Sequence, residues 1–500
     1  MRLENLLAKI RYERVQGELD REVTELVFDS RKACPGCLFV ALTGARSDGH
    51  DYIGQVMEAG AAAIVAERLP EQLSAGQPAG EGDGSGVTIL LVEDSRRALA
   101  ELSAAWFGYP AEKLTTIGIT GTKGKTTTAV MVKRILEAAG EKVGLIGTLG
   151  AFMGQEHVPT VNTTPESYDI QRYFARMVEA GCRYAVMEVS SQGLKMHRVD
   201  GFTFDYGIFT NISPDHIGPD EHASFEEYLY YKSQLLKRCR LCAVNRDDEH
   251  FDEIVGDASC ELVTFGMRAD ADYYTDRVDY LTRHGFMGIA FHLTGRASFP
   301  VEVNIPGLFN VYNAMAASAL CLTMGVAAEA ICRALQTVTV DGRMEIVYAS
   351  EKLSALVDYA HNAVSMESLL ATLRAYQPKR LVCVFGCGGN RSRLRRYEMG
   401  EIGGRMADLC IITADNSRWE KVEDIIADIR VGMDKTDGQF VEIPDRREAI
   451  CYSIKHAQEG DIIAVIGKGH EDYQEICGVR THFLDREELK KALIQYGYMK

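Results

Sequence analysis

The sequence contains little tryptophan and proline, and it has no apolar run long enough to cross a membrane. Two tryptophans and 12 prolines occur among 500 residues. The most apolar stretch begins at Asn313 and meets Glu329 before it reaches the roughly 20 residues that a bilayer span needs. We therefore predict a buried helix there. The first residues, MRLENLLAKIRYERV, are charged throughout, so we expect no signal peptide.

Positive charge is also scarce. The chain has 55 Lys and Arg against 71 Asp and Glu, which gives a formal net charge of -16. This balance argues against nucleic acid or an anionic membrane as a partner, because both require a broad positive potential. An anionic ligand must instead be bound locally, by a few Arg or Lys side chains and backbone N–H groups.

Disulfides are not expected, although 13 cysteines are present. An odd number in a chain without a signal peptide is typical of the reducing cytosol. The pairs Cys34/Cys37 and Cys239/Cys242 together offer four thiolates for zinc. They lie far apart in the sequence, and Pro35-Gly36 is already explained as a turn. We therefore interpret the two pairs as a coincidence of composition rather than a metal site.

A chain of 500 residues is too long for a single hydrophobic core. The patterns predict three domains, at residues 1–110, 111–340 and 341–500. In the last domain, strands such as RLVCVFGCGG and DIIAVIGKGHE alternate with helices, which predicts a doubly wound α/β sheet. The segments GCGGN, ADNSR and GKGHE follow predicted strands, at the carboxyl ends where ligands bind in this fold class.

The stretch TTIGITGTKGKTTT, Thr115 to Thr128, predicts a nucleotide-binding loop between a strand and a helix. It departs from the strict P-loop pattern because Ile119 stands where the first glycine belongs. Its glycines still allow backbone N–H groups at a helix N-terminus to approach phosphate oxygens. We expect Lys125 to neutralise the β- and γ-phosphates and the Thr126 hydroxyl to bind Mg²⁺. The residues predicted to bind ATP in this loop are Gly121, Thr122, Lys123, Gly124, Lys125, Thr126 and Thr127.

Three polar side chains further along the chain are candidates for a metal site. Glu188 ends the apolar strand RYAVMEVSS, where a carboxylate without a partner would be costly. His216 follows Asp215 just after the strand DYGIF, and Lys232 lies among aromatic residues in YLYYKSQLL. Taken singly, such residues are more often structural than catalytic. Together with Thr126 they could form an oxygen-rich Mg²⁺ site beside the γ-phosphate.

The order of these motifs resembles that of the Mur ligases. The loop GTKGKTT is followed by MEVSS, by DH after a strand, and by YKSQLL, GLFNVYNAMAA, DGRME, DYAH and ADNSR. The resemblance extends from DSR near residue 30 to GKGHEDYQ near residue 470. It implies an α/β fold with the three-domain Mur ligase architecture, in which a central P-loop ATPase domain is followed by a C-terminal doubly wound, Rossmann-like domain.

The resemblance implies an ATP- and Mg²⁺-dependent ligase of peptidoglycan synthesis that acts in the cytoplasm as a monomer. The motifs are most similar to those of the members that add the third residue of the stem peptide. Such an enzyme phosphorylates the D-glutamate side-chain carboxylate of UDP-N-acetylmuramoyl-L-alanyl-D-glutamate, and the amine of a diamino acid then attacks the acyl phosphate. The implied catalytic residues are Lys125, Glu188, His216 and Lys232. Lys232 is implied to be carbamylated and to hold Mg²⁺ together with Thr126, Glu188 and His216.

The resemblance also implies which residues bind the two nucleotides. DSR corresponds to a uridine-nucleotide site, and NTTP with MEVSS corresponds to contacts with the sugar and dipeptide. The residues implied for this substrate are Phe28, Ser30, Asn162, Thr163, Thr164, Ser190 and Arg198. The residues implied for the adenine, ribose and phosphates of ATP are Asn310, Asn313, Asp358 and Arg343.

The amino-acid site is implied by the motifs DNSR, GGNR and GKGHE. Arginines there can bind carboxylates through paired N–H donors, and Asp415 and Glu471 suit ammonium groups. Because diaminopimelate carries a distal carboxylate and lysine does not, Arg418 favours meso-diaminopimelate, with L-lysine as the alternative. Ser417 departs from the family pattern, in which a proline fixes the loop. The implied amino-acid-binding residues are Arg391, Asp415, Asn416, Arg418, Gly467 and Glu471.

Two other functions stay open at this point. A folylpolyglutamate synthase-like ligase belongs to the same superfamily, but DSRKACPGCLFVALTG predicts a uridine-nucleotide site that it would not need. A P-loop NTPase that works as a switch or motor would need no amino-acid site, so DNSR and GKGHE would be incidental. Amide formation that depends on both a UDP-sugar peptide and an amino acid separates these functions.

Overall fold

The structure is a computed structural model that describes residues 1–44, 47–70, 86–218 and 221–499. The chain divides into two compact units, Met1–Thr264 and Phe265–Lys500. The domain boundaries expected near residues 110 and 340 lie inside these units and remain predictions.

The first unit begins with a small sheet and three helices. The elements are α1 (Leu3–Leu6), β1 (Glu13–Gln16), β2 (Glu25–Val27), β3 (Cys37–Val40), α2 (Ile53–Glu58), β4 (Ala63–Ala66), β5 (Thr88–Leu91) and α3 (Ser95–Trp106). The strands lie in the order β1-β5-β4-β3-β2; β1 is antiparallel to β5 and the others are parallel. Strands β3 and β4 are buried throughout, as is typical of parallel strands covered on both faces.

A longer sheet begins in the same unit. Its elements are β6 (Thr115–Thr120), α4 (Lys125–Ala138), β7 (Val143–Gly147), β8 (Gly150–Met153), β9 (Glu156–Val158), α5 (Ser167–Glu179), β10 (Tyr184–Glu188), α6 (Ser191–Lys195), β11 (Phe204–Phe209), α7 (Phe225–Ser233), β12 (Cys239–Asn245), α8 (Phe251–Val255) and β13 (Glu261–Gly266). Strands β7, β10, β6, β11 and β12 are parallel neighbours in that order. Their carboxyl ends therefore lie along one edge, and every residue of β10 is buried.

The second unit starts with short strands and two apolar helices. These are β14 (Tyr273–Tyr274), β15 (Val278–Arg283), β16 (Phe286–Gly295), β17 (Phe299–Val303), α9 (Leu308–Thr323) and α10 (Ala328–Thr337). The buried helix predicted from Asn313 is confirmed in α9, but the apolar run does not form a single helix, because its last part forms α10. Gly325 lies between them with φ 84°, a left-handed conformation that cannot continue a right-handed helix.

The rest of this unit contains a doubly wound α/β sheet and a separate two-stranded antiparallel sheet formed by its last two strands. Its elements are β18 (Glu345–Ala349), β19 (Leu353–Asp358), α11 (Ala363–Arg374), β20 (Arg380–Phe385), α12 (Arg393–Met406), β21 (Leu409–Ile412), α13 (Val422–Met433), β22 (Phe440–Glu442), α14 (Arg446–Lys455), β23 (Asp461–Ile466), β24 (Tyr473–Ile476), β25 (Val479–His482) and α15 (Asp485–Gln495). The strand order is β18-β19-β23-β20-β21-β22, with β18 antiparallel and the others parallel. The predicted alternation of strands and helices is confirmed.

The cysteines are free thiols, and most of them are buried. Cys477, in the turn between β24 and β25, is exposed. One CxxC pair precedes and begins β3, whereas the other lies in β12 of a different sheet. Within the described ranges, no helix has both the length and the apolar character that crossing a membrane demands.

Candidate active site

The glycine-rich loop connects β6 to α4, as the sequence predicts. Gly121 and Gly124 have φ values of 144° and 85°, which L side chains rarely adopt. A Cβ atom on Gly121 would overlap Oγ1 of Thr210, so the loop backbone lies directly against the residue that follows β11. Because α4 begins at Lys125 and Thr127 lies in its first turn, the helix N-terminus offers backbone N–H groups to phosphate oxygens.

Two lysines converge on one carbonyl of this loop. Nζ of Lys125 donates to the Gly121 carbonyl oxygen at 2.8 Å and to that of Thr122 at 3.1 Å. Nζ of Lys232, from α7, donates to the same Gly121 oxygen at 2.8 Å. Both amines therefore lie at the loop that is predicted to bind phosphates.

Lys232 is buried, with 1% of its surface exposed. Desolvation lowers the pKa of Lys232 well below its ordinary value, and the neighbouring Lys125 cation acts in the same direction. Its amine is therefore held in the neutral, nucleophilic form more readily than that of an exposed lysine.

Glu188 lies at the carboxyl end of β10 and has the partners that its burial requires. Its Oε2 accepts a hydrogen bond from Oγ1 of Thr126 at 2.9 Å, and its Oε1 accepts one from the backbone N–H of Thr148 at 2.8 Å. A Cβ atom on Gly147 would lie only 2.8 Å from Cδ of Glu188, so the absence of a side chain there leaves room for the carboxylate. These contacts fix the Glu188 carboxylate beside the loop.

His216 has different neighbours. It lies at φ 54°, its side chain is half-exposed, and its Nδ1 is 2.7 Å from Oε1 of Glu221. Over the residues that the structure describes, no three His, Cys, Asp or Glu side chains are gathered as ligands for a metal ion. The Thr126 hydroxyl and the Glu188 carboxylate nevertheless provide two adjacent hard oxygen donors, and these fit the ligand preference of Mg²⁺.

Two side chains of the loop fasten it to neighbouring elements. Nζ of Lys123 donates to Oδ2 of Asp215 at 3.0 Å. Burial opposes ionisation of Asp215, but this hydrogen bond and the Lys123 charge outweigh it and lower the pKa of Asp215. Oγ1 of Thr122 lies 3.0 Å from the Tyr228 hydroxyl of α7. The loop is thus joined to the segment after β11 and to the helix that carries Lys232.

The residues expected on the sugar–dipeptide side surround the end of β10. Oγ1 of Thr164 donates to the carbonyl oxygen of Glu188 at 3.0 Å and accepts from the backbone N–H of Ser190 at 2.9 Å. The Ser190 side chain caps α6. Arg198 donates from Nη1 to the Thr164 carbonyl oxygen at 3.1 Å and from Nε to Glu166 at 2.9 Å. These bonds connect NTTP to MEVSS.

The other residues expected for this substrate lie nearer the surface. Asn162 is exposed and Thr163 is half-buried. Ser30 begins a short 3-10 helix in the N-terminal sheet region. The Phe28 ring lies 5.8 Å from the ring of Tyr168, between their centroids.

The residues expected at the adenine and ribose belong to the second unit. Asn310 and Asn313 are buried on α9, and Nδ2 of Asn313 donates to Oδ1 of Asn310 at 2.9 Å. Asp358 ends β19 and accepts hydrogen bonds from two backbone N–H groups. The guanidinium of Arg343 lies 5.0 Å from the ring centroid of Tyr359.

The acceptor motifs form a cluster at the carboxyl edge of the C-terminal sheet. Nδ2 of Asn416 donates to Oε2 of Glu471 at 2.8 Å, and Nζ of Lys468 donates to Oδ1 of Asn416 at 3.1 Å. The same Nζ lies 3.5 Å from Glu471 and 3.9 Å from Asp415. Lys468 is fully buried, so its cation holds these two acids together while their other oxygens can accept from an ammonium group.

Arg418 and Gly467 join the three acceptor motifs. Arg418 lies at φ 51°, and its Nη1 donates to the Gly389 carbonyl oxygen at 2.8 Å. Gly467 lies at φ 115°, and a Cβ atom there would be 3.0 Å from Oδ2 of Asp415. Arg391 is exposed two residues beyond Gly389. The Arg418 side chain therefore links DNSR to GGNR. The backbone of Gly467 in GKGHE lies close to the Asp415 side chain of DNSR.

Three residues of these clusters were missed in the sequence. Lys468 holds the acceptor acids and lies inside GKGHE, so the motif itself was the available signal. Tyr359, which lies beside Arg343, is part of DYAH, whereas Thr148, which donates to Glu188, belongs to none of the motifs. Their roles depend on tertiary contacts that no local spacing encodes.

Three family models match the chain in succession. They are described as the Mur ligase family catalytic domain (residues 22–107), the Mur ligase middle domain (residues 119–321) and the Mur ligase glutamate ligase domain (residues 342–469). Together with the P-loop before α4 and the doubly wound sheet, these matches confirm the predicted fold class.

Relatives match over the full length. A UDP-N-acetylmuramoyl-L-alanyl-D-glutamate--2,6-diaminopimelate ligase of Caldanaerobacter subterraneus subsp. tengcongensis is 39% identical over 497 residues, which is 99% of each chain. A ligase of that name from Clostridium acetobutylicum, designated ligase 1, is 39% identical over 499 residues, again 99% of each chain. A solved structure of such a ligase has a TM-score of 0.73 at 28% identity and covers 99% of each chain. The chain belongs to the Mur ligase family.

Proposed function

We propose that this protein is an ATP-dependent ligase that adds meso-diaminopimelate to UDP-N-acetylmuramoyl-L-alanyl-D-glutamate in peptidoglycan synthesis. Relatives that are 39% identical over the full length carry this activity in their names. The observation that carries the proposal is the acceptor cluster, where Arg418, Asp415 and Glu471 lie at one sheet edge. We also propose that the reaction takes place in the cytoplasm and that one chain carries it out.

The charges of the acceptor cluster suit diaminopimelate. Asp415 and Glu471 accept from an ammonium group, and the Arg418 guanidinium can donate to the distal carboxylate through paired N–H groups. A hydrogen bond to a charged group contributes about 1.5–3 kcal/mol, so this contact favours diaminopimelate over lysine by that order. Lysine has no carboxylate at that end, so the Arg418 guanidinium would have no hydrogen-bond partner on the substrate.

The P-loop holds the phosphates of ATP. The first backbone N–H groups of α4 would stabilise the charge that develops on the transferred phosphoryl group, and the Lys125 ammonium, which lies at the same loop, would add its positive charge. When bound, Mg²⁺ neutralises phosphate charge and polarises the transferred group. Thr126 and Glu188 would hold it, with Thr148 keeping the Glu188 carboxylate in place.

The chain contributes orientation to two successive displacements. The D-glutamate side-chain carboxylate attacks the γ-phosphorus of ATP, forming an acyl phosphate and releasing ADP. An amine of diaminopimelate then attacks the acyl carbon, inorganic phosphate leaves, and the amine loses a proton. Thr164 and Ser190 hold the dipeptide end of the first substrate, and Asp415 with Glu471 holds the acceptor.

We further propose that Lys232 is carbamylated. A neutral amine attacks the carbon of carbon dioxide, forms an N–C bond and releases one proton, and the product is a carboxylate at the same position. The lowered pKa of Lys232 supports this step. Isotope-labelled bicarbonate should give a carbamate carbon signal in the wild type and none in Lys232→Met.

Acceptor-dependent phosphate release, with mass spectrometry of the product, tests the proposed function. The assay contains ATP, Mg²⁺ and UDP-N-acetylmuramoyl-L-alanyl-D-glutamate, with meso-diaminopimelate, L-lysine and L-ornithine in parallel reactions. An adduct of diaminopimelate alone supports the proposal. An adduct of lysine or ornithine would support ligase activity but contradict the proposal that diaminopimelate is the acceptor. ATP loss without any adduct favours an NTPase switch instead.

A further inference from the structure

A buried arginine lies behind the acceptor cluster. Arg446 is the first residue of α14, and its side chain is fully buried. Its Nη1 donates to the carbonyl oxygen of Ala414 at 3.1 Å, and its Nη2 donates to that of Ile466 at 2.9 Å. Ala414 directly precedes Asp415, and Ile466 directly precedes Gly467. One guanidinium therefore binds the ends of two chain segments that lead into the proposed acceptor site.

Asp485 fixes the orientation of this guanidinium. Its Oδ1 accepts from Nε of Arg446 at 2.7 Å, and its Oδ2 accepts from Nη2 at 2.6 Å. Asp485 is also fully buried and is the first residue of α15. The planar fork of arginine suits this paired contact, which leaves the remaining N–H directions aimed at the two carbonyl oxygens.

Helix stability does not explain an arginine at this place. A cation in the first turn of α14 opposes the helix dipole, and burying an ion pair carries a large desolvation cost. A buried pair is useful when it specifies one geometry, and here it specifies the positions of two carbonyl groups. The backbone N–H of Ala414 also donates to the carbonyl oxygen of Pro444, two residues before Arg446, at 3.2 Å.

We propose that Arg446, held by Asp485, is a positioning residue that sets the separation between the ends of β21 and β23 and thereby the affinity for the acceptor amino acid. The proposal rests on the proposed function of the acceptor cluster. A Cβ atom on Gly467 would lie 3.0 Å from Oδ2 of Asp415, so the two ends already approach closely. A shift of either end by a fraction of an ångström therefore changes where the Asp415 carboxylate meets the substrate.

The same sheet provides a matched control at its opposite edge. Arg380 donates from Nε to Oδ1 of Asp461 at 3.1 Å and from Nη2 to Oδ2 at 2.6 Å. Asp461 is buried at the amino end of β23, whereas Arg446 acts at the carboxyl end of that strand. Arg380→Lys therefore disturbs a similarly paired but less buried arginine that binds the other end of β23, without touching the acceptor cluster.

The test compares Arg446→Lys, Asp485→Asn and Arg380→Lys with the wild type. We expect KM for diaminopimelate to rise about tenfold or more in the first two variants, while KM for ATP and for the UDP-sugar dipeptide stays within about twofold. Arg446→Lys retains a positive charge and a residue that favours helix formation, so this variant should disturb folding less than a neutral substitution. Amide hydrogen exchange of the segments 413–417 and 465–469 should accelerate in both variants and remain unchanged in Arg380→Lys.

A uniform rise of all three KM values, or an equal effect from Arg380→Lys, overturns the positioning role. Unchanged hydrogen exchange in both segments also overturns it. If the wild type forms no diaminopimelate adduct, the proposed function fails, and the exchange data still decide whether Arg446 positions the two strand ends.

Discussion

Replacing Gly147 with alanine should displace the Glu188 carboxylate without removing it. Gly147 is the last residue of β7, and a Cβ atom there would lie 2.8 Å from Cδ and 2.9 Å from Cγ of Glu188. Carbon atoms at an optimal contact are about 3.5–4.0 Å apart, so the carboxyl group must move by about 1 Å. That movement weakens the hydrogen bonds from Thr126 and Thr148.

The expected loss of activity follows from the weakening of those two hydrogen bonds. Each is a hydrogen bond to a charged acceptor and contributes about 1.5–3 kcal/mol. If about 3 kcal/mol of this is lost in the transition state, the rate of acyl phosphate formation falls about 100-fold. Crowding the site adds a smaller cost in folding stability, of about 1–3 kcal/mol.

The assay is acceptor-dependent phosphate release at increasing Mg²⁺ concentrations. Gly147→Ala should lower kcat and shift the Mg²⁺ concentration at half-maximal rate upward, and Glu188→Gln should do the same. Gly54→Ala is the matched control, because a Cβ atom at Gly54 has no heavy atom within 4 Å outside its chain neighbours and its own helix backbone. If Gly147→Ala had wild-type activity and an unchanged Mg²⁺ requirement, the position of the Glu188 carboxylate would not matter for catalysis.

Three further outcomes are expected. In Lys232→Met, the free energy of unfolding should lose a pH dependence. Between the lowered pKa of the folded state and 10.5, the unfolded lysine binds a proton that the folded one does not, so wild-type stability should rise relative to the variant as the pH increases toward 10.5, by at most about 1.4 kcal/mol per pH unit. Urea unfolding in buffer free of carbon dioxide measures this difference, and a constant difference would contradict the neutral amine. Arg418→Lys should lower kcat/KM for diaminopimelate about tenfold or more and barely change that for lysine, because the paired donors are lost; equal losses would refute the carboxylate contact. Glu420→Gln should cost about 1.5–3 kcal/mol of stability near neutral pH, because Glu420 binds the buried Arg396 at 2.8 Å and 2.9 Å, while Asp428 still pairs with that arginine. The Arg396 hydrogen bond lowers the pKa of Glu420 to about 2, so this cost should be full above pH 4.5 and shrink as the pH falls toward 2; a cost that persists at low pH would refute the pairing.

Local patterns predicted the parts of the fold that depend on neighbouring residues. The glycine-rich loop and α4 could be predicted because strand, turn and helix signals follow one another in one short segment. Strand β10 could be predicted because a parallel strand covered on both faces is apolar throughout. The acceptor motifs could be placed on one edge because parallel strands end together.

The same patterns could not predict the order of the strands in the sheet. Strand β23 lies between β19 and β20 in the sheet, although most of the domain separates it from them in the sequence. No periodicity of the sequence encodes this strand order. The break at Gly325 was hidden because the flanking residues are equally apolar. Thr148 and Lys468 gain their importance from the partners that the fold brings to them, namely Glu188 and the acceptor acids.

The exposed thiol of Cys477 offers a site for a fluorescent dye. Burial raises the pKa of thiols such as those of Cys321, Cys383 and Cys410, so they react slowly with maleimides, whereas Cys477 is accessible. The backbone N–H of Cys477 donates to the carbonyl oxygen of Arg418 at 2.5 Å. A dye on Cys477 therefore lies next to Arg418, the residue proposed to bind the distal carboxylate. Titration of the labelled protein with amino acids would then rank them by fluorescence, without ATP and without turnover.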